Sequence, residues 1–286
     1  MPDFDPAAAD RDDLDGGVIR SVARAAAVVQ EISDAGPGGC RLVDLVDRTQ
    51  LSKSTVYRLL STLSKVGWLE MDEESGTYYL GTPLVGFGIT ASDRHGLLQC
   101  VRPSLERLAE LTEDTAYLSV PLAGRALCLD QATGAFPVRL LSPAVGERTA
   151  MGSCAGSLAL LAWMGDAEIE EILARDRHLH GRDSRVPETA DLMEMIEESR
   201  LRGYTLYPGV LIPDTIGVGV PVPGVDGVPV AALSVATIES RMGQTRRRHV
   251  VDWLTIEAQL LTATLVQMNP RFKQADVRRL LGADGR

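Results

Sequence analysis

No apolar run in the 286-residue chain approaches the roughly 20 residues that span a bilayer, which excludes a helical membrane protein. The start of the chain is not signal-like either. Asp3, Asp5, Asp10, Asp12, Asp13 and Asp15 stand there against a single Arg11, a composition expected of a disordered acidic tail. Four cysteines (Cys40, Cys100, Cys128 and Cys154) show no paired spacing, so a disulfide scaffold is excluded and reduced thiols in a cytoplasm are expected. Positive charge is also scarce. A net charge of −10 argues against a protein that coats nucleic acid without regard to sequence. Histidines number four, and only His178 and His180 have a spacing that could share a metal. Arg175, Arg177 and Arg182 would repel a cation there, while His95 and His249 read as exposed; no metal and no cofactor is expected. Internal repeats are absent. With 45% hydrophobic residues, the chain is long enough for two domains with their own cores.

The most informative segment runs from 42 to 80. Val56, Leu59, Leu60 and Leu63 fall on one stripe of a helix that extends to about Lys65. The opposite side collects Ser54, Tyr57, Arg58, Ser61 and Lys65, with no carboxylate among them. Such a face suits the major groove, where base edges and phosphates call for donors and cations. Upstream, Leu42, Leu45 and Val46 mark a shorter helix to Arg48, Thr49-Gln50-Leu51 makes a turn, and Ser52 stands where an N-cap belongs. Downstream, 68–71 and 77–80 are β-prone runs about a Gly-containing tip, hence a hairpin. A helix-turn-helix followed by a hairpin is a winged helix. The charge is locally favourable: within 41–65 five cations (Arg41, Arg48, Lys53, Arg58, Lys65) meet Asp44 and Asp47, a surplus of three. That surplus is modest, so tight binding requires two reading heads on two half-sites. The alternative is a helical hairpin whose polar side faces water or another protein.

A leading helix is expected from Val22 to Ile32 with Ser21 as its cap, and Gly36-Pro37-Gly38-Gly39 ends it. Helices are expected again at 84–94 and 97–111, with Pro103 near a helix start or at a kink. Strand-like runs follow at 116–121, 127–132 and 138–141, helices at 153–162, 166–174 and 189–201, strands at 205–206, 216–222 and 228–237, and a closing helix at 245–268. Segregated strands and helices give an α+β domain with an antiparallel sheet flanked by helices. Arg246-Arg247-Arg248 reads as a solvated helix face, with contact to DNA or another subunit as the alternative.

An enzyme is poorly supported. Gly217-Val218-Gly219 lacks the third glycine and the following helix of a nucleotide loop, and Gly152-Ser153-Cys154-Ala155-Gly156 is not Gly-x-Ser-x-Gly. An esterase built on Ser153 or Cys154 would need a base that the spacing does not supply. The segment 150–154 has two other uses. Its amides at a helix start could hold a carboxylate, or its small residues could simply permit close helix packing.

Ser21-Val22-Ala23-Arg24-Ala25, the stretch from Leu51 to Leu63 and Tyr79-Leu80-Gly81 resemble the isocitrate-lyase-regulator (IclR) family of bacterial transcription factors. The likeness continues in order through Val101-Arg102-Pro103, Arg139-Leu140-Leu141-Ser142, Gly203-Tyr204 and 230–235. It implies a multidomain protein: an N-terminal winged helix-turn-helix (mostly α, with a β-wing) and a C-terminal α+β, GAF-like effector domain. The expected divisions are an acidic tail at 1–17, the DNA-binding domain at 18–81, a linker helix at 82–97, the effector domain at 98–269 and a tail at 270–286. DNA-contacting residues would be Arg41, Ser52, Lys53, Ser54, Thr55, Tyr57 and Arg58. The implied effector site comprises Met151, Gly152, Ser153, Cys154, Tyr207, Thr215, Gly217, Ser234 and Ala236. Expected partners are a double-stranded operator, a small effector and a second copy or more of the chain, as homodimer or homotetramer; no membrane is involved.

This chain departs from the family pattern in that site. Tyr207 stands where the family has an acid, Gly209 and Val210 where it has glutamates, Gly217 where it has a cysteine, Ser157-Leu158 where it has Gly-Lys, and Ala236 where it has a second serine. Every change removes charge or polarity. The expected effector is therefore an aromatic or otherwise hydrophobic acid, which gains about 25 cal/mol per Å² of apolar burial.

Overall fold

A computed structural model describes residues 19–95, 97–122, 124–138, 143–176, 186–209 and 213–268. The acidic tail, the C-terminal tail, His178 and His180 lie outside them. The chain forms two compact units that part at His95.

In the first unit, α1 (Arg20–Asp34), α2 (Leu42–Thr49) and α3 (Lys53–Lys65) pack around Val28, Ile32, Leu45, Val56, Leu60 and Leu63, all buried. The α2–α3 turn is set by Gln50 in the left-handed region, φ 55°. Thr49 tightens it, its hydroxyl donating to the Leu45 carbonyl at 2.6 Å. The wing is a three-stranded antiparallel sheet of β1 (Cys40–Arg41), β2 (Leu69–Asp72) and β3 (Thr77–Leu80), in the order β1-β3-β2. Its tip closes because Asp72 Oδ1 accepts from the amides of Glu74 and Ser75 at 2.8 and 3.2 Å. Helix α4 (Pro83–His95) returns Phe87 edge-on to Trp68, ring centroids 5.8 Å apart.

The second unit is a six-stranded antiparallel sheet in the order β6-β5-β4-β9-β8-β7. Its strands are β4 (Thr115–Leu122), β5 (Arg125–Thr133), β6 (Arg148–Ala150), β7 (Thr205–Pro208), β8 (Thr215–Pro223) and β9 (Pro229–Ile238). One face is covered by α5 (Leu97–Thr112) and the 25-residue α9 (Gln244–Met268), which bury Leu118, Val218, Val220, Leu233 and Val235. The other carries α6 (Ala155–Leu161), α7 (Asp166–Arg175) and α8 (Thr189–Arg202) over Ala126, Tyr207 and Ala232. The two-residue period of the strands divides them between the two layers: 216, 218, 220 and 222 face α5 and α9, and 217 and 219 face α6.

Buried ion pairs hold the α5–α9 layer. The Asp114 carboxylate, 1% exposed, accepts from Thr237 Oγ1 (2.7 Å), Arg241 Nε (3.2 Å) and Arg246 Nη2 (2.9 Å). This single carboxylate joins the end of α5, the start of β4, the end of β9 and the start of α9. Arg246 is therefore turned inward, correcting the reading of that residue as part of a solvated face, while Arg248 is exposed; a buried carboxylate must be paired. Farther along, Glu257 accepts from Arg107 Nε at 2.8 Å and Nη2 at 2.6 Å.

Three further expectations change. Ser21 is not a cap, because α1 already begins at Arg20 and its N-cap is Ile19, which makes no side-chain cap. Pro103 lies inside α5, where its missing N–H leaves the Gln99 carbonyl without a helical donor. Val138 is irregular and 139–141 fall outside the described residues; the edge strand is Arg148–Ala150, paired to Arg125–Leu127. A short apolar run carries no record of which segment it pairs with. We expect Asp114→Ala to lower the unfolding free energy of this unit by about 3 kcal/mol, the low end for a broken buried pair because both guanidiniums also reach water. Urea denaturation followed by near-UV circular dichroism measures it.

Candidate functional site

Six of the seven residues expected to meet DNA, all but Arg41, lie at the head of α3. Ser52 is the N-cap in extended conformation, accepting from the Thr55 amide at 3.3 Å. Its hydroxyl also meets Ser54 Oγ (3.1 Å) and Thr55 Oγ1 (2.8 Å). Ser52 and Thr55 are thus tied into the cap, with Thr55 half-buried. Lys53, Ser54, Tyr57, Arg58 and Lys65 are exposed, and Val56, Leu60 and Leu63 on the opposite side are buried. Tyr57 is 60% exposed, an unusual position for a ring that would gain by burial. Arg41 is exposed at the junction of β1 and α2, paired with Thr77 of the wing strand. No acidic residue lies within α3.

The second cluster lies on the α6 side of the large sheet. Helix α6 is buried along its whole length. It approaches closely because three glycines permit it. A Cβ on Gly217 would lie 2.7 Å from Ala155 Cβ, one on Gly219 2.6 Å from the Ala155 carbonyl, and one on Gly156 2.5 Å from Ser119 Oγ. Gly217 therefore packs against α6 in this structure. Gly152, at φ 80°, is covered by Leu192. The start of α6 caps itself: the Cys154 amide donates to Ser157 Oγ at 2.9 Å, and the Ser157 amide turns to the Cys154 side chain. This takes up the Cys154 amide, one of those expected to hold a carboxylate. Ser153 Oγ donates to the Ala150 carbonyl at 2.8 Å.

Around this start the sheet presents two cross-strand rows. Tyr207, Gly217, Ala236 and Thr115 form one; Gly219, Ser234, Tyr117 and Gln131 form the other. Met151, Tyr207, Ser234 and Tyr117 are buried, while Ser153, Cys154, Thr215 and Ala236 are half-buried. All nine expected effector residues belong to the α6 start and strands β7–β9. The sequence reading placed strands at β4 and β5 but named no site residue on them; they bring Tyr117, Ser119, Cys128 and Gln131 to this side of the sheet. Their signal was absent because cross-strand register is not written in one strand alone. Burial pushes the phenols of Tyr117 and Tyr207 well above their usual range, and nearby Cys154 adds to both. Burial, helped by Cys154, pushes the Cys128 thiol up to about 12. These groups stay neutral at physiological pH, giving a face that is polar but uncharged. Among the described residues no cluster of His, Cys, Asp and Glu could hold a metal.

A winged helix-turn-helix unit joined to an α+β unit places the chain in the class of helix-turn-helix transcriptional regulators. The family follows from comparison. A model of the IclR helix-turn-helix domain matches residues 21–73, and one for the bacterial transcriptional regulator IclR C-terminal region matches 89–262. The chain is 30% identical over 238 residues to the HTH-type transcriptional regulator BhcR of Paracoccus denitrificans, covering 83% of this chain and 84% of that protein. Two solved structures share the fold. An IclR family transcriptional regulator from Brucella abortus has a TM-score of 0.75 at 20% identity, covering 91% of this chain and 98% of that one. An IclR homolog from Microbacterium hydrocarbonoxydans, complexed with 4-hydroxybenzoate, has a TM-score of 0.65 at 24% identity, covering 85% and 98%. The chain belongs to the IclR family of bacterial transcriptional regulators, DNA-binding proteins with an effector-binding domain and not enzymes.

Because a side chain at 219 meets the backbone of Ala155, Gly219→Val should displace the start of α6. The expected loss is about 1–3 kcal/mol of stability by overpacking. Chemical denaturation gives the first number, and quenching of intrinsic fluorescence by added ligands shows whether the face has been rebuilt.

Proposed function

We propose that this regulator sets α3 into the major groove of a palindromic operator, as a dimer or a dimer of dimers, and that a hydrophobic or aromatic acid on the α6 side of the sheet governs its hold on DNA. The observation that carries the reading is the exposed, carboxylate-free face of α3 beyond a closed N-cap. Lys53 and Arg58 supply cations for phosphates or guanine edges, Ser54 and Tyr57 supply hydroxyls, and Arg41 anchors the wing side. Ser52 and Thr55 act through the cap, since their hydroxyls hold the first turn. Two-fold pairing follows from the small local charge surplus, which leaves one head too weak alone.

For the effector, support comes from the uncharged but polar face of Tyr117, Tyr207 and Ser234, next to the half-buried Ser153 and Cys154. The homolog crystallised with 4-hydroxybenzoate adds an example of such a ligand on the same fold. A ligand of this kind shifts DNA affinity only through unequal affinity for two arrangements of the protein. A cytoplasmic location fits a DNA-binding protein with reduced thiols.

Gel-shift titration on the DNA upstream of the protein's own gene tests both halves. Operator binding should weaken steeply as salt rises, and Arg58→Ala should cost about 1–3 kcal/mol if Arg58 reads a base. Aromatic acids should change the shift and small oxoacids such as pyruvate should not. No salt-dependent shift on any upstream segment would favour a head that contacts protein, and calorimetric binding of pyruvate alone would end the aromatic reading.

A further inference from the structure

The fold leaves one buried polar atom of this face without a use. Gln131 pairs with Tyr117 across β4 and β5, and Tyr117 pairs with Ser234 across β4 and β9, so all three stand in one row. A register shift at Leu118/Ser119 adds a residue to β5, which puts Gln131 and Cys128 together on the α6 side. Asp130 points to the other face, where it meets Arg102 of α5 at 3.1 Å.

The backbone of Gln131 is fully committed. Its N–H donates to Asp130 Oδ1 at 2.8 Å and its carbonyl accepts from Arg102 Nη1 at 3.0 Å. The strand is thereby fixed, and with it the face of the sheet from which the side chain rises. Yet Gln131 Oε1 is buried and accepts no hydrogen bond. The neighbouring phenol of Tyr117 is engaged with Thr115 and does not supply one. A buried acceptor without a donor costs free energy that a ligand recovers by bringing a donor.

We propose that Gln131 is the specificity-determining residue of the effector site, accepting a hydrogen bond from a hydroxyl or amino group on the end of the ligand remote from its carboxylate. The inference rests on the effector reading above and narrows it. The effector is a hydroxy- or amino-substituted aromatic acid and not a bare hydrophobic acid. Gln131 lies two strands from Ser234, about 10 Å between backbones, with the buried Tyr117 on the strand between them. Sites built to pair with a hydroxyl discriminate strongly against analogues that lack it, because their own polar group is then left unpaired.

The test is calorimetry of the full chain with 4-hydroxybenzoate, 4-aminobenzoate, benzoate and 4-methoxybenzoate. The first two should bind roughly ten-fold or more tightly than the last two, since methoxy offers an acceptor only. Gln131→Leu should erase that preference and leave benzoate affinity in place. The same variant, without ligand, should melt at a higher temperature than the parent, because it removes an unpaired buried oxygen. Equal affinities for all four acids, or a preference that survives in Gln131→Leu, would overturn the role of Gln131 while leaving an aromatic effector standing. Failure of all four to bind would overturn the effector reading itself, and a lower melting temperature for Gln131→Leu would show that the oxygen is paired in the resting protein.

Discussion

The ligand-domain face depends on how closely α6 can approach the sheet. A helix buried along its whole length must bring its backbone against the strands, and side chains at 217, 219 or 156 would hold it off. The glycines do more than relieve a clash. They seat the helix against Gly217 and Gly219 of β8, Ser234 of β9 and Ser119 of β4. The position Gly217 that the family fills with cysteine is consumed in this packing, and polarity is supplied from β4 and β5.

The opposite layer is held differently. There the apolar contact between sheet, α5 and α9 is pinned by Asp114 and Glu257, each with arginine partners from distant parts of the chain. Buried pairs of this kind contribute little net stability over apolar residues, but they specify one arrangement, since any slip strands a charge. One layer is thus located by shape and the other by charge. Asp114 also touches Thr237, the residue after Ala236, so the charged staple and the polar face meet on the same strand.

Much of this was legible in the sequence, for reasons that differ by residue. Helix α3 could be read because Val56, Leu60 and Leu63 recur at helical spacing and Ser52 is a capping residue before them. The wing could be read from two β-prone runs about Gly76. Strands β1 and β6 could not, because at two and three residues they owe their existence to partners elsewhere in the chain. Ser21 misled because a capping residue type near a helix start is not always at the start. Arg246 misled because its partner, Asp114, is more than a hundred residues away. Tyr117 and Gln131 were invisible as a pair for the same reason: each looks ordinary in its own strand, and only the ladder sets them side by side.

The cap at the head of α3 has an entropic consequence. Ser52, Ser54 and Thr55 share their hydroxyls in one short network, so the first turn is already held by its own side chains before any nucleic acid arrives. Freezing that stretch is a cost met during folding, so that on the proposed reading association restrains only the long side chains of Lys53 and Arg58 and the stiff ring of Tyr57. A reading head pre-organised in this way forfeits little of its attraction to ordering, which lets a domain with so small a charge surplus still grip its target.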